Sequence, residues 1–89
     1  MPHRELMIID ARDDVAVALC DISAGVVAAV AGGGSLTAVT DVAAGHKIAL
    51  RALRAGDPVV KYGEVIGRAT ADIAAGEWVH THNMGPDES

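Results

Sequence analysis

Larger and smaller apolar residues alternate along Val15-Ala16-Val17-Ala18-Leu19, so the bulkier side chains fall on every second position. A period of two marks a strand with one buried face. Asp13-Asp14 before this run and Asp21 after it supply polar ends. Other short runs follow the same logic. Val26 to Val30 is β-prone, Gly32-Gly33-Gly34-Ser35 reads as a flexible loop or hairpin tip, and Leu36 to Thr40 is short and β-branched. Ile48-Ala49-Leu50 repeats the large-small-large pattern. Pro58 to Tyr62 is extended and ended by Gly63, Val65 to Thr70 is another extended segment, and Trp78-Val79-His80-Thr81-His82 closes the series. The competing reading is helical, because Ala is the best helix former. Frequent Gly, abundant Val and period-two patterning favour strands instead. The pattern predicts an all-β domain over residues 6–84, with at most one short helix or a few 3₁₀ turns. Residues 85–89 form a polar tail.

A short phrase punctuates these strands: an aliphatic residue, any residue, Ala, Gly. It occurs as Ile22-Ser23-Ala24-Gly25, Val42-Ala43-Ala44-Gly45, Leu53-Arg54-Ala55-Gly56 and Ile73-Ala74-Ala75-Gly76. A shift of 31 residues carries the first pair of phrases onto the second. Each phrase is expected to be a turn in which Gly takes positive φ. The spacing predicts a duplicated unit with two related halves.

Composition narrows the picture. A chain of 89 residues makes one domain, and at this size only about 60–65% of the unfolded surface is buried. The chain is 51% apolar, but Ala and Val dominate; it has no Phe, and Trp78 and Tyr62 stand alone in their kinds. So small-grained a core favours association with a partner chain or a further copy. A net charge of −5 leaves no basic stripe for a phosphate backbone, which argues against a nucleic-acid partner. Cys20 is the only cysteine. It permits no internal disulfide, fits a reducing cytoplasm, and reads as apolar filler at a strand end. The apolar patch from Leu6 to Ile9 is too short for a signal segment or a membrane span. A cytoplasmic protein with no membrane partner is expected.

Three groups of residues carry candidate chemistry. His80-Thr81-His82 is the sharpest. On a strand, residues i and i+2 share a face with Cβ atoms about 6.5–7 Å apart. Two such imidazoles can share a metal ion, completed by Asn83 or a ligand from elsewhere. They can equally bind a carboxylate or hydroxyls, or simply be surface histidines. Gly45-His46-Lys47 is the second group. A symmetric pair of turns would bring His46 toward the other histidines; otherwise His46 is a turn residue and Lys47 a solvated charge. Lys61-Tyr62-Gly63 with Gly67-Arg68 is the third: Lys61 and Arg68 can hold an anion beside the phenol of Tyr62. The rival reading is an edge strand guarded by charge. Ser23, Ser35 and Ser89 sit in no nucleophile motif, and Gly32–Ser35 lacks the Lys and spacing of a phosphate loop.

Taken together, Asp14–Leu19, Gly45-His46-Lys47-Ile48-Ala49-Leu50, Lys61-Tyr62-Gly63, Ile66–Thr70 and Val79-His80-Thr81-His82-Asn83 resemble the amino-terminal SAF domain of the altronate/galactarate dehydratase family. The resemblance runs from about Leu6 to Met84. It implies a β-clip fold with two related halves. It also implies lyase chemistry: loss of water, or of sulfite as in sulfolactate sulfo-lyase, from a small hydroxy acid, often with a divalent metal such as iron(II). A large catalytic dehydratase subunit is the implied partner. In that setting His80, His82 and His46 would bind metal or donate a proton, and Lys47 would hold the carboxylate. Lys61, Tyr62, Arg68 and Asn83 would be further substrate contacts. Two other readings stand beside the lyase subunit: a non-catalytic SAF module that binds a ligand or partner, and a structural homo-oligomer.

Overall fold

The computed structural model describes residues 5–87. Nine short strands carry the fold: β1 (Leu6–Met7), β2 (Val15–Ala18), β3 (Val27–Ala29), β4 (Ser35–Thr37), β5 (Lys47–Ala49), β6 (Pro58–Lys61), β7 (Glu64–Ala69), β8 (Trp78–Val79) and β9 (Met84–Gly85). They form a four-stranded sheet in the order β1-β2-β5-β8, a β3-β4 hairpin, and a three-stranded sheet in the order β6-β7-β9. All strand pairs are antiparallel. The all-β, β-clip expectation is met, and no helix occurs among the described residues.

The four Ala-Gly phrases are turns, as their spacing suggested. In each, the amide after Gly donates to the carbonyl three residues back: Val26 to Ser23, His46 to Ala43, Asp57 to Arg54 and Glu77 to Ala74. The glycines take φ of 89°, 84°, 94° and 86°, the type II pattern that only Gly adopts freely. The phrases also pair. Ile22 bridges Val42, and Leu53 bridges Ile73. An aspartate just before one phrase clasps the partner phrase: Asp21 accepts from the Ala44 amide, Asp41 from Ala24, and Asp72 from Ala55. Ala52 stands where the fourth aspartate would be, so the second clasp is one-sided.

The duplication extends to individual hydrogen bonds. Gly25 donates to Ala38 and Gly45 to Ala18 in the first half; Gly56 donates to Ala69 and Gly76 to Ala49 in the second. Each second bond is the first moved by the repeat shift. Two cores follow the same rule. Ile22, Ala28, Val42 and Ile48 lie in one; Leu53, Val59, Ile73 and Val79 occupy the equivalent places in the other. β5 serves both. Ile48 enters the first core and Ala49 the second, because successive strand residues point to opposite faces.

Several sequence expectations need correction. The closing strand ends at Val79, and Thr81–Asn83 form a turn. The Asn83 side chain accepts the His80 amide at 2.9 Å, which takes the donor a continuing ladder would need. Cys20 is exposed at a turn rather than buried. Asp14 is more than a polar strand end. It is buried, accepts from the Val60 amide, and pairs with Arg51 at 2.7 Å. The expected tail begins later than residue 85, since Gly85 pairs with Arg68 in β9 and Asp87 bridges the Arg68 guanidinium. Glu88 and Ser89, also assigned to that tail, lie outside the described residues.

Gly45 and Gly76 test the turn logic separately from packing. Both have positive φ, but a Cβ on Gly45 meets nothing, whereas one on Gly76 would run into the Thr37 carbonyl oxygen. Gly45→Ala is expected to cost about 1 kcal/mol from φ alone. Gly76→Ala should cost about 1–3 kcal/mol more from the clash, which denaturant titration of the two variants would measure.

Candidate functional site

The turn after the second phrase delivers His46 to the entry of β5, and the turn after the fourth delivers Trp78 to β8. β5 and β8 pair with Ile48 opposite Trp78. This register brings the indole against His46, and its Nε1–H donates to His46 Nδ1 at 3.0 Å. Two more imidazoles gather on the same indole. His80 stacks on it, with ring centroids 5.2 Å apart and planes 12° from parallel; His82 lies at 4.7 Å, tilted by 36°. His46 and His80 are themselves 5.2 Å apart. Trp78 is fixed at both backbone ends. Its amide donates to Thr40 Oγ1, and its carbonyl accepts from Asn83 Nδ2.

Asn83 is buried and spends its side chain inside this turn: Oδ1 on His80, Nδ2 on Trp78 and, at 3.3 Å, on Glu77. It therefore shapes the histidine turn and is not placed as the substrate contact expected of it. His80 and His82 do not share a strand face as an extended H-x-H would; the turn folds both rings onto Trp78 instead. Zinc-like and iron-like centres take three or more protein ligands. Among the described residues no three His, Cys, Asp or Glu side chains converge to hold a metal ion. The described residues by themselves therefore do not complete a metal centre.

Lys47 follows His46 directly but belongs to a second cluster. It is half-buried, and that burial pushes its ammonium below the ordinary lysine value, with the charge of Lys61 acting in the same direction and Tyr62 opposing. The Lys61 ammonium sits 4.6 Å over the Tyr62 ring. Tyr62 and Gly63 join β6 to β7, with φ of 59° and 71°, the pattern of a type I′ turn. Asn or Gly is favoured at the Tyr62 position; an exposed Tyr there is strained. The Gly63 amide donates to Asp13 Oδ1. Beside it the hydrogen bonds from Arg12 hold the Asp10 carboxyl down at about 2. Arg68 does not join this cluster. It pairs with Pro58 at the far end of the hairpin and is occupied by Asp87 and the Gly56 carbonyl.

The sequence-selected residues thus divide into an imidazole–indole cluster, a Lys47–Lys61–Tyr62 corner, and an isolated Arg68. An open cleft of about 280 Å³ lies elsewhere, between the first two phrases, lined by Asp21, Ile22, Ser23, Asp41, Val42 and Ala43. No histidine lines it. The residue that sequence reasoning missed is Trp78, the hub of the histidines. As the only Trp, spaced by two from His80 and by four from His82, it carried a signal, but one that equally fits a core anchor.

These features define a duplicated β-clip module with a polar aromatic cluster at one junction of its halves. Residues 4–86 match the altronate/galactarate dehydratase SAF domain, and the chain belongs to that family. It is 51% identical over 75 residues to altronate dehydratase of Escherichia coli (strain K12), a match that covers 84% of this chain and 15% of that protein. Altronate dehydratase of Bacillus subtilis (strain 168) is 44% identical over 72 residues, covering 81% of this chain and 14% of that protein. The (2R)-sulfolactate sulfo-lyase subunit alpha of Paracoccus pantotrophus is 56% identical over 48 residues, 54% of this chain and 72% of that subunit. The chain therefore spans a small part of the altronate dehydratases it matches.

Replacing Tyr62 by Asn should remove the strain at φ 59° and stabilise the domain by about 0.5–1 kcal/mol. Thermal unfolding of Tyr62→Asn beside the parent chain measures this, and a lower melting temperature would contradict it.

Proposed function

We propose that this domain is the small, accessory part of a hydroxy-acid lyase, a dehydratase of a sugar acid such as altronate. A larger catalytic polypeptide completes the site around Trp78. The observation that supports this most is the match over residues 4–86 to a dehydratase family, with relatives named altronate dehydratase and sulfolactate sulfo-lyase subunit alpha. The geometry is compatible with it. A sugar acid loses water when the proton next to its carboxylate is removed and the hydroxyl on the next carbon departs. The developing enediolate needs hydrogen-bond donors, and the leaving hydroxyl needs a proton. His80 and His82 offer ring nitrogens for that task. Lys47 and Lys61 place positive charge around Tyr62, suited to a carboxylate.

Among the described residues, the two small cores are filled by the apolar side chains of Ala, Val, Leu and Ile. The isolated chain should turn over altronate barely at all, and addition of the large dehydratase subunit should restore the reaction. In the reconstituted enzyme, His80→Ala or His82→Ala should lower turnover by about 10²-fold or more with subunit affinity retained. Turnover unchanged in both variants would sink the catalytic role, and robust turnover by the chain alone would sink the partnership.

A second reading, a sulfo-lyase subunit, is favoured by the alignment that takes in 72% of the sulfolactate sulfo-lyase subunit alpha. Release of sulfite from sulfolactate, against loss of water from altronate, separates the two in the same reconstituted assay.

A further inference from the structure

We propose that Trp78 locks His46 in its Nε2–H tautomer, so that His46 serves as a neutral hydrogen-bond donor to an oxygen of the bound hydroxy acid. The inference deepens the lyase reading and rests on it for the identity of that oxygen. The lock itself rests on the geometry alone.

An indole N–H donates and never accepts. The ring nitrogen it meets at 3.0 Å is His46 Nδ1, which must therefore present a lone pair. Rotating the imidazole by half a turn would set a C–H against the indole N–H and lose the bond, so the hydrogen-bond partner decides the ring orientation. In a neutral imidazole one nitrogen accepts and the other carries the proton. With Nδ1 accepting, the proton of His46 is on Nε2.

This arrangement is the reverse of what a metal-ligating histidine needs. Such a ligand donates its second ring N–H to a carbonyl or carboxylate, which frees the other nitrogen's lone pair for the metal. It is also wrong for a general base acting through Nε2, which would need the lone pair there. What remains is donation: an Nε2–H aimed at a carboxylate or at the oxygen where negative charge develops. No proton is transferred from His46 in this role. Of the three histidines, His46 thus separates from His80 and His82, whose ring nitrogens make no such bond.

Trp78 is the positioning residue, and its own placement is over-determined. Thr40 holds its amide, Asn83 its carbonyl, and the His80 ring stacks on its face. The pair also uses non-equivalent places in the repeat. The shift that relates the halves carries His46 onto Glu77 and Lys47 onto Trp78. No second copy of the lock exists among the described residues, which fits a function built at one junction only.

The test is nitrogen NMR of the full chain with ¹⁵N-labelled His and Trp, without substrate. The expected results are the Nε2–H shift pattern for His46 and a coupling through the hydrogen bond between Trp78 Nε1 and His46 Nδ1. Both are read on the parent chain, so they stand even if a Trp78 variant fails to fold. Trp78→Phe should move the two His46 nitrogen shifts toward the averaged values of free imidazole. A His46 Nδ1–H pattern, or a Trp78→Phe chain with unchanged shifts, would overturn the lock. For the donor role, His46→Gln keeps an N–H donor and His46→Ala does not. In the reconstituted lyase the Gln variant should retain at least about 10-fold more turnover than the Ala variant, given that one oxyanion donor is worth about 10²–10³. Equal loss in both overturns donation. An inactive parent complex that still shows the Nε2–H pattern supports the lock and counts against the lyase reading.

Discussion

β5 holds the structure together, because its two faces feed two different cores. Ile48 is buried in one core and Ala49 in the other, while the strand's edges pair with β2 and β8. A strand only three residues long can do this because the side-chain period is two. β5 is at once the last strand of the first half and the first strand of the second. β2 beside it likewise feeds both cores, with Val15 in the second and Ala16 in the first. The same alternation sends His46 toward Trp78 and Lys47 toward Lys61 and Tyr62, so the two candidate clusters are a consequence of the packing requirement on one strand.

Duplication supplies the scaffold, and its imperfections supply the chemistry. Where the copies agree, they repeat turns, carbonyl partners and core positions bond for bond. They disagree where β2 of the first half presents the buried Val15 and Ala16 and the second half presents His46 and Lys47. Ala52 replaces the aspartate that would close the second clasp on the Ala75 amide; Glu77 accepts from the Ala74 amide within its own turn, as Asp57 does from Arg54. His46 and Trp78 occupy positions whose repeat equivalents are Glu77 and Lys47. A scaffold with doubled turns tolerates such divergence because each turn is held by its own glycine and its own backbone bonds.

The site follows the same economy of means. One indole organises three imidazoles, and one buried asparagine holds the turn that carries two of them. The hydrogen bond from Trp78 to His46 and the bonds of Asn83 to His80 and Trp78 are all part-buried, where polar contacts resist competition from water. This is a preorganised cluster on a small, otherwise aliphatic body.

The all-β class, the duplication, the turn positions and most strand centres were legible in the sequence. Their causes are local: period two sets a strand, and a glycine after an aliphatic-x-Ala phrase sets a type II turn. The histidines and lysines were legible as chemistry but not as neighbours. Residues 46 and 78 are far apart in the chain, and only the antiparallel register of β5 against β8 makes them a hydrogen-bonded pair. Asp14 turning inward to Arg51 and Arg68 leaving the Tyr62 corner were likewise invisible, because each depends on a partner supplied by a distant segment. The sequence by itself determined what kind of scaffold this is. The tertiary structure decided which side chains meet on it, since cross-strand register and burial are properties of the assembled sheet rather than of any single run of residues.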